Sequence, residues 1–308
     1  MTKISIRDKI KCVNKISRNY CSVTAKKNPL VKPFLKWAGG KRQLLPEILK
    51  YLPKNIGKNT YFEPFLGGGA LLFELQPKKA IVNDSNGELI NCYRVIQNQV
   101  EELIEILKDH KARNSKEYYD DLREMDRLKE YSKFSDIQKA ARIIYLNKTC
   151  YNGLFRVNSK GYFNVPFGRY KNPNILDEAV LRGVNDYLNQ NTVIFLNTDF
   201  AEAVKDAKKG DFIYFDPPYD PVSNTASFTG YDINGFNQNE QRRLKQVVDE
   251  LTKKGCNVML SNSATDFILD LYKDYTAKIV FATRSINSNV LKRGKINEVL
   301  VLNYVPKH

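Results

Sequence analysis

The sequence predicts an α/β fold built on a mostly parallel sheet of seven strands. Three observations lead there. Short apolar runs of strand length alternate with stretches of helical periodicity. One run, Tyr61-Phe62-Glu63-Pro64-Phe65-Leu66-Gly67-Gly68-Gly69-Ala70, passes from strand through glycines into a helix, the unit that holds nucleotide-type cofactors. Another, Phe212 to Phe215, stops at Asp216-Pro217-Pro218-Tyr219, because neither proline can donate a ladder hydrogen bond.

Composition narrows the class. The 308 residues are 42% hydrophobic and 27% charged, ordinary for a soluble globular chain. No apolar run approaches the roughly 20 residues of a membrane span. The start carries Lys3, Arg7, Asp8, Lys9 and Lys11 rather than a signal-peptide core, which predicts a cytoplasmic protein. Cys12, Cys21, Cys92, Cys150 and Cys256 are odd in number and scattered, against a disulfide framework or zinc site. With only His110 and His308, imidazole-based catalysis and His metal ligation are excluded, and no metal is expected. The net charge of +15 points to a polyanionic partner.

Taken in order, residues 1–32 form a basic arm with nine Lys/Arg against Asp8. Phe34 to Lys41 follows, with Gly39-Gly40 allowing close backbone approach and Lys41 near the first turn of a helix over Arg42–Tyr51. That junction suits an anion such as a carboxylate; a plain loop-to-helix junction is the competing reading. The glycine loop at 67–69 lacks the full Gly-x-Gly-x-x-Gly spacing, so a dinucleotide is not favoured. A strand over Ala80–Asn83 then places Asp84 where an acid accepts from ribose hydroxyls. Helices are predicted over Glu88–Leu107, Lys116–Glu130 and Asp136–Asn147, with one buried face and no chemistry assigned.

Residues 137–176 contain no Asp or Glu, seven Lys/Arg and seven Tyr/Phe. At their centre Phe155 to Val165 alternates on both sides of Ser159-Lys160-Gly161, which predicts a β-hairpin beside the loop Tyr151-Asn152-Gly153. Such a basic, aromatic surface contacts phosphates and base edges. The second half returns to α/β alternation. Strands are predicted over Thr192–Asn197, Phe212–Phe215, Asn257–Ser261, Ala277–Ala282 and Glu298–Tyr304, with helices over Gln238–Lys253 and Asp266–Tyr272. Arg284–Lys295 reads equally as a phosphate-contacting loop or a linker.

The chemistry concentrates at Asp216. Its carboxylate lies at the carboxyl end of a strand, where open α/β sheets bind ligands. Pro217 and Pro218 offer carbonyls without donors, and Tyr219 offers a flat ring. Carboxylate and carbonyl together accept both hydrogens of a planar exocyclic amine, returning electron density to nitrogen. Adenine N6 and cytosine N4 fit alike. A capped strand end with a tight turn is the non-functional reading.

These blocks, Phe34–Lys41, Phe62–Ala70, Asn83-Asp84, Tyr151–Arg156 with Phe163–Tyr170, and Asp216–Phe228, resemble the Dam-type DNA adenine-N6 methyltransferases. The similarity runs colinearly from Pro33 to Tyr304 and is nearest the GATC-specific modification methyltransferases. It implies a Rossmann-like methyltransferase sheet and S-adenosylmethionine as methyl donor. Residues 33–86 and 191–308 would form the catalytic domain, and 87–190 an inserted helical and hairpin target-recognition domain.

By the family pattern, Trp37 and Lys41 hold the methionine portion, with Lys41 at its carboxylate. Glu63, Pro64, Phe65 and Gly67 form the cofactor loop, Asp84 takes the ribose, and Asp199 and Phe200 contact the adenine. Asp216, Pro217, Pro218 and Tyr219 receive the flipped target base. Lys36, Tyr151, Asn152, Leu154, Arg156 and Pro166 read double-stranded GATC, with Arg156 on a guanine edge. The modification branch is compatible with a cognate restriction endonuclease acting independently, whose existence the sequence leaves open. A regulator that keeps the fold and binds DNA without catalysis is the alternative class.

Overall fold

The computed structural model describes residues 27–37, 41, 44–54, 56–221, 235–283 and 295–306, with side chains undescribed at 281–283, 295 and 296. Most of the basic arm, Ala38-Gly39-Gly40, Arg42, Gln43 and nearly all of Arg284–Lys295 therefore lie outside the described residues, as does the stretch 222–234 after the Asp216 corner.

Seven strands form one sheet: β1 (Tyr61–Glu63), β2 (Lys79–Asn83), β3 (Thr192–Leu196), β4 (Phe212–Phe215), β5 (Asn257–Ser263), β6 (Thr276–Thr283) and β7 (Lys295–Leu302). Their order is β3-β2-β1-β4-β5-β7-β6. The first five pair in parallel. β7 is antiparallel to both β5 and β6, so the last hairpin supplies the exception to the parallel rule. The chain runs outward from β1 through β2 to β3, then returns to add β4 on the other side of β1. The strand order reverses between β1 and β4, which opens a crevice at their carboxyl ends. Glu63 ends one of these strands and Asp216 follows the other.

Alternate residues of the central strands enter two cores on opposite faces, as the two-residue period requires. Tyr61, Phe212 and Tyr214 join one, and Phe62, Ile213 and Phe215 the other. Burial on both faces explains why β4 reads as a continuous apolar run.

The first face carries α1 (Leu45–Lys50), α2 (Ala70–Leu75), α3 (Gly87–Asn98), α4 (Val100–Ala112), α5 (Lys116–Glu124), α6 (Asp136–Thr149) and α7 (Glu178–Gln190). The second carries α8 (Phe200–Ala203), α9 (Gln238–Lys253) and α10 (Asp266–Leu271).

The helical region corrects three expectations. The helix predicted over Glu88–Leu107 is two, broken at Gln99, whose φ of −143° is non-helical although the apolar period continues. The helix from Lys116 ends at Glu124, and Met125–Arg127 and Lys129–Lys133 are 3₁₀ turns. Helix α7, for which no element was predicted, begins at Asp177, whose side chain caps Val180 N. The predicted hairpin is present as a short antiparallel ribbon: Asn158 N donates to Tyr162 O and Asn164 N to Arg156 O.

Candidate active site

Two strand ends build the site. After β4 the prolines end the ladder, and Asp216 turns its carboxylate toward Lys41. The ammonium lies 2.9 Å from Asp216 Oδ1, which also accepts from Ser261 Oγ at 3.0 Å. Ser261 is on β5 and shares a 2.9 Å hydrogen bond with Tyr214 OH of β4. Both contacts fall on Oδ1; Oδ2 carries no hydrogen bond among the described residues. The Asp216 side chain is 18% exposed. The Pro217 carbonyl is likewise unengaged among the described residues, whereas that of Pro218 accepts from Gln241 Nε2 at 2.9 Å.

Lys41 is 8% exposed and lies 4.0 Å from the Tyr219 ring centroid, donating to the Tyr219 hydroxyl. That hydroxyl donates to Glu298 Oε2 at 2.8 Å, and Glu298 is 3.9 Å from Lys41. One ammonium thus faces two sequestered carboxylates. Burial raises the Asp216 carboxyl above its ordinary range, with Lys41 pulling the other way. Glu63, at the end of β1, is pushed up more strongly by burial and accepts from Tyr61 OH at 2.9 Å.

The glycine loop is clamped onto β2. Asp84 Oδ2 accepts from Gly67 N and Oδ1 from Asn86 N, each at 2.9 Å. Tyr93 OH donates to Gly67 O. Buried Asn83 donates to Pro64 O and Thr198 O and accepts from Thr198 N, joining three loops. Gly69 caps α2 with φ +66°, and a Cβ there would lie 2.8 Å from Tyr93 OH, so the cradle needs glycine.

Trp37 lies against the same loop: a Cβ on Gly67 would be 3.0 Å from Trp37 Cδ1. Beyond it, Phe65, Phe200 and Phe236 group with centroids 5.4, 5.6 and 5.9 Å apart. Asp199 caps α8 and pairs with Arg243 at 2.6 Å, which holds its carboxyl below the usual range.

These groups fit S-adenosylmethionine by donor chemistry: carboxylates outnumber ammonium groups where a sulfonium would lie, grouped aromatic rings could pack on a purine, and a cramped glycine loop borders the crevice. Among the described residues no cluster of His, Cys, Asp or Glu could hold a metal, and no helix is long and apolar enough to cross a membrane.

The residues expected from the sequence to read DNA also converge. Buried Asn147 accepts from Lys36 N and donates to Lys36 O and Gly153 O, pinning the first loop to the 3₁₀ turn Tyr151–Gly153. Tyr151, 52% exposed, donates its N–H to Pro166 O. Asn152 adopts φ +56°, an uncommon conformation for a side-chain-bearing residue. Leu154 is half-buried beside them, and exposed Arg156 is held by Asn164 Oδ1 at 2.7 Å. The Lys36 ammonium is 4.4 Å from the Tyr170 ring.

Sequence reasoning missed Ser261, Glu298, Gln241, Asn262, Asn147 and Phe236. Only Asn147 carried a local signal, an amide at an otherwise apolar stretch of helix.

Residues 37–286 match the model of the D12 class N6 adenine-specific DNA methyltransferases. The chain belongs to that family. Among its relatives, the Type II methyltransferase M1.LlaDCHI of Lactococcus lactis subsp. cremoris is 50% identical over 274 residues, covering 89% of this chain and 96% of its own. M.MjaIII of Methanocaldococcus jannaschii is 43% identical over 290 residues, covering 89% and 99%. The DNA adenine methylase of Escherichia coli K12 is 34% identical over 274 residues, covering 88% and 95%. This D12 methyltransferase is an adenine-specific DNA methyltransferase with Type II methyltransferase homologues, and the Dam resemblance holds. The family's methyl donor is generally S-adenosylmethionine.

Proposed function

We propose that this D12 enzyme methylates adenine N6 in double-stranded GATC, using S-adenosylmethionine, in the cytoplasm. The observation that carries the mechanism is the pair of acceptors that no described residue engages, Asp216 Oδ2 and the Pro217 carbonyl. The bound donor supplies an electrophilic methyl group. Trp37, Lys41, Glu63, Pro64, Phe65, Gly67, Asp84, Asp199 and Phe200 would hold it, with Phe236 added to the aromatic group.

The target adenine is extruded from the duplex and stacks on Tyr219. Asp216 Oδ2 and Pro217 O accept its two N6 hydrogens, which draws the nitrogen lone pair out of the ring. Lys41 and Ser261 hold Oδ1, so the carboxylate presents its other oxygen in a fixed direction. Positioning of this kind can supply about 7–11 kcal/mol of the barrier. Tyr219 is held at its hydroxyl by Lys41 and Glu298, and the Lys41 ammonium lies over one face of its ring, so the opposite face would take the base.

Residues 87–190 would form the recognition domain. Arg156 would take a guanine edge bidentately, releasing Asn164, while Lys36, Tyr151, Asn152, Leu154 and Pro166 would border the vacated stack. A cognate endonuclease acting independently would fit the Type II relatives.

The test is transfer from labelled S-adenosylmethionine to three duplexes: one GATC, one GTTC, and one GATC already N6-methylated. Incorporation into the first alone is expected. Incorporation into GTTC rejects the site while keeping the chemistry, and cofactor that fails to bind rejects catalysis.

A further inference from the structure

The Asp216 corner is anchored through Pro218. Gln241 Nε2 donates to the Pro218 carbonyl at 2.9 Å, and Gln241 Oε1 accepts from Asn262 Nδ2 at 3.1 Å. Asn262 Oδ1 then accepts two backbone N–H groups, Asp220 at 2.9 Å and Ser263 at 2.8 Å. Thr265 Oγ1 closes onto Asp220 Oδ2 at 2.6 Å. Gln241 is 1% exposed and Asn262 0%, so this relay between α9, β5 and the corner is shielded from water. Each amide donates at one end and accepts at the other. The order is fixed by its termini, because a carbonyl only accepts and a backbone N–H only donates.

We propose that Gln241 is a positioning residue for methyl transfer: by holding the Pro218 carbonyl it aims the adjacent Pro217 carbonyl at the target amine. The proline ring locks φ at Pro218, and the peptide between the two prolines is planar, so ψ is the soft torsion between the two carbonyls. Gln241 on one side and Asn262, through Asp220 N, on the other fix it. The relay also removes one of the corner's two carbonyls from competition for the amine. This inference rests on the proposed pairing of Asp216 and Pro217 with N6.

Q241E keeps the shape and loses the donor; Q241M loses donor and acceptor without adding charge. Both are compared with wild type and D216N for single-turnover transfer, cofactor dissociation constant, DNA KM and Tm, between pH 5.5 and 8.5 (roughly the range in which a carboxyl raised by burial titrates). In both Gln241 variants transfer falls about tenfold or more while cofactor affinity stays within about twofold. The Q241E deficit relative to wild type shrinks as pH falls, because the protonated carboxyl donates to Pro218 O while its other oxygen accepts from Asn262. The Q241M deficit does not change with pH.

Wild-type transfer in both variants overturns the inference, as does a pH-independent deficit common to both. If Q241E does not fold, Q241M decides: lost transfer with intact cofactor binding supports the role, and unchanged transfer rejects it. Wild-type activity in D216N would instead reject the underlying reading of the corner, whatever Gln241 does.

Discussion

Asp216 combines an acceptor that no described residue engages with a buried charge, and the two lead to opposite effects of one substitution. Its folded pKa is raised by burial. A carboxyl raised in this way contributes stability that is fully present below its unfolded pKa and is lost as pH rises through the folded value. The window opens near the ordinary value of 3.8 and extends upward from there. At neutral pH the ionised group therefore opposes folding, and D216N removes that cost. Transfer by D216N should fall by about 100-fold or more. Its Tm at pH 8 should exceed wild type by about 1–3 °C, with the gap closing as pH drops toward 4. Thermal scans across that range check the sign; a D216N protein no more stable than wild type at pH 8 would show that Lys41 fully compensates the charge. Arg156 is the other residue with a separable effect. R156A should lose about 1–3 kcal/mol of discrimination at one base pair, read from transfer rates on duplexes substituted at each GATC position.

At the scale of elements, the segment Phe34–Trp37 joins the two halves of the site. Lys36 is pinned to the Tyr151–Gly153 turn by Asn147, while Trp37 touches the glycine loop and stacks on Phe155 of the hairpin at 5.1 Å. Gly153 marks a close approach of the turn to the first loop. Its φ is +64°, and a Cβ would stand 2.4 Å from Lys36 Cδ and 2.7 Å from Lys36 Cβ. G153A must push the first loop away from the turn. It should lower stability by about 1–3 kcal/mol and weaken DNA binding, with cofactor affinity retained. Denaturant unfolding and DNA titration, run beside cofactor binding, separate these effects. Equal loss of cofactor and DNA affinity would mean that the two halves do not respond separately.

The whole molecule carries +15, and residues 1–32 supply +8 of it. Charge on that scale acts through counterion release. Each phosphate neutralised adds about 0.9 to the slope of log affinity against log salt. Deleting residues 2–26 should therefore reduce the slope while leaving transfer at saturating DNA unchanged. A slope equal to wild type would assign the arm no part in DNA binding. The basic, acid-free stretch 137–176 and Lys36 would then carry the phosphate contacts alone.

What the sequence determined by itself was whatever has a local cause. Prolines end β4 at Asp216, a two-residue period with burial on both faces makes β4 apolar throughout, and glycines with an acid one strand later mark the strand–glycine loop–helix unit. The helix Gln238–Lys253 ran as its period predicted. The tertiary structure decided which polar residues meet. Lys41 lies against Tyr219 and Glu298, residues far apart in the chain, because β1 and β4 are neighbours and β7 returns antiparallel beside β5. Gln241 sits among charged residues on an amphipathic helix, and nothing local distinguishes a buried amide there from a solvated one. The break at Gln99 was hidden for a related reason: the apolar face continues across it, and periodicity reports which side is buried, not whether the backbone between is helical. Hydrogen-bond partners are fixed by packing between distant segments, so they become legible only when the sheet order is known.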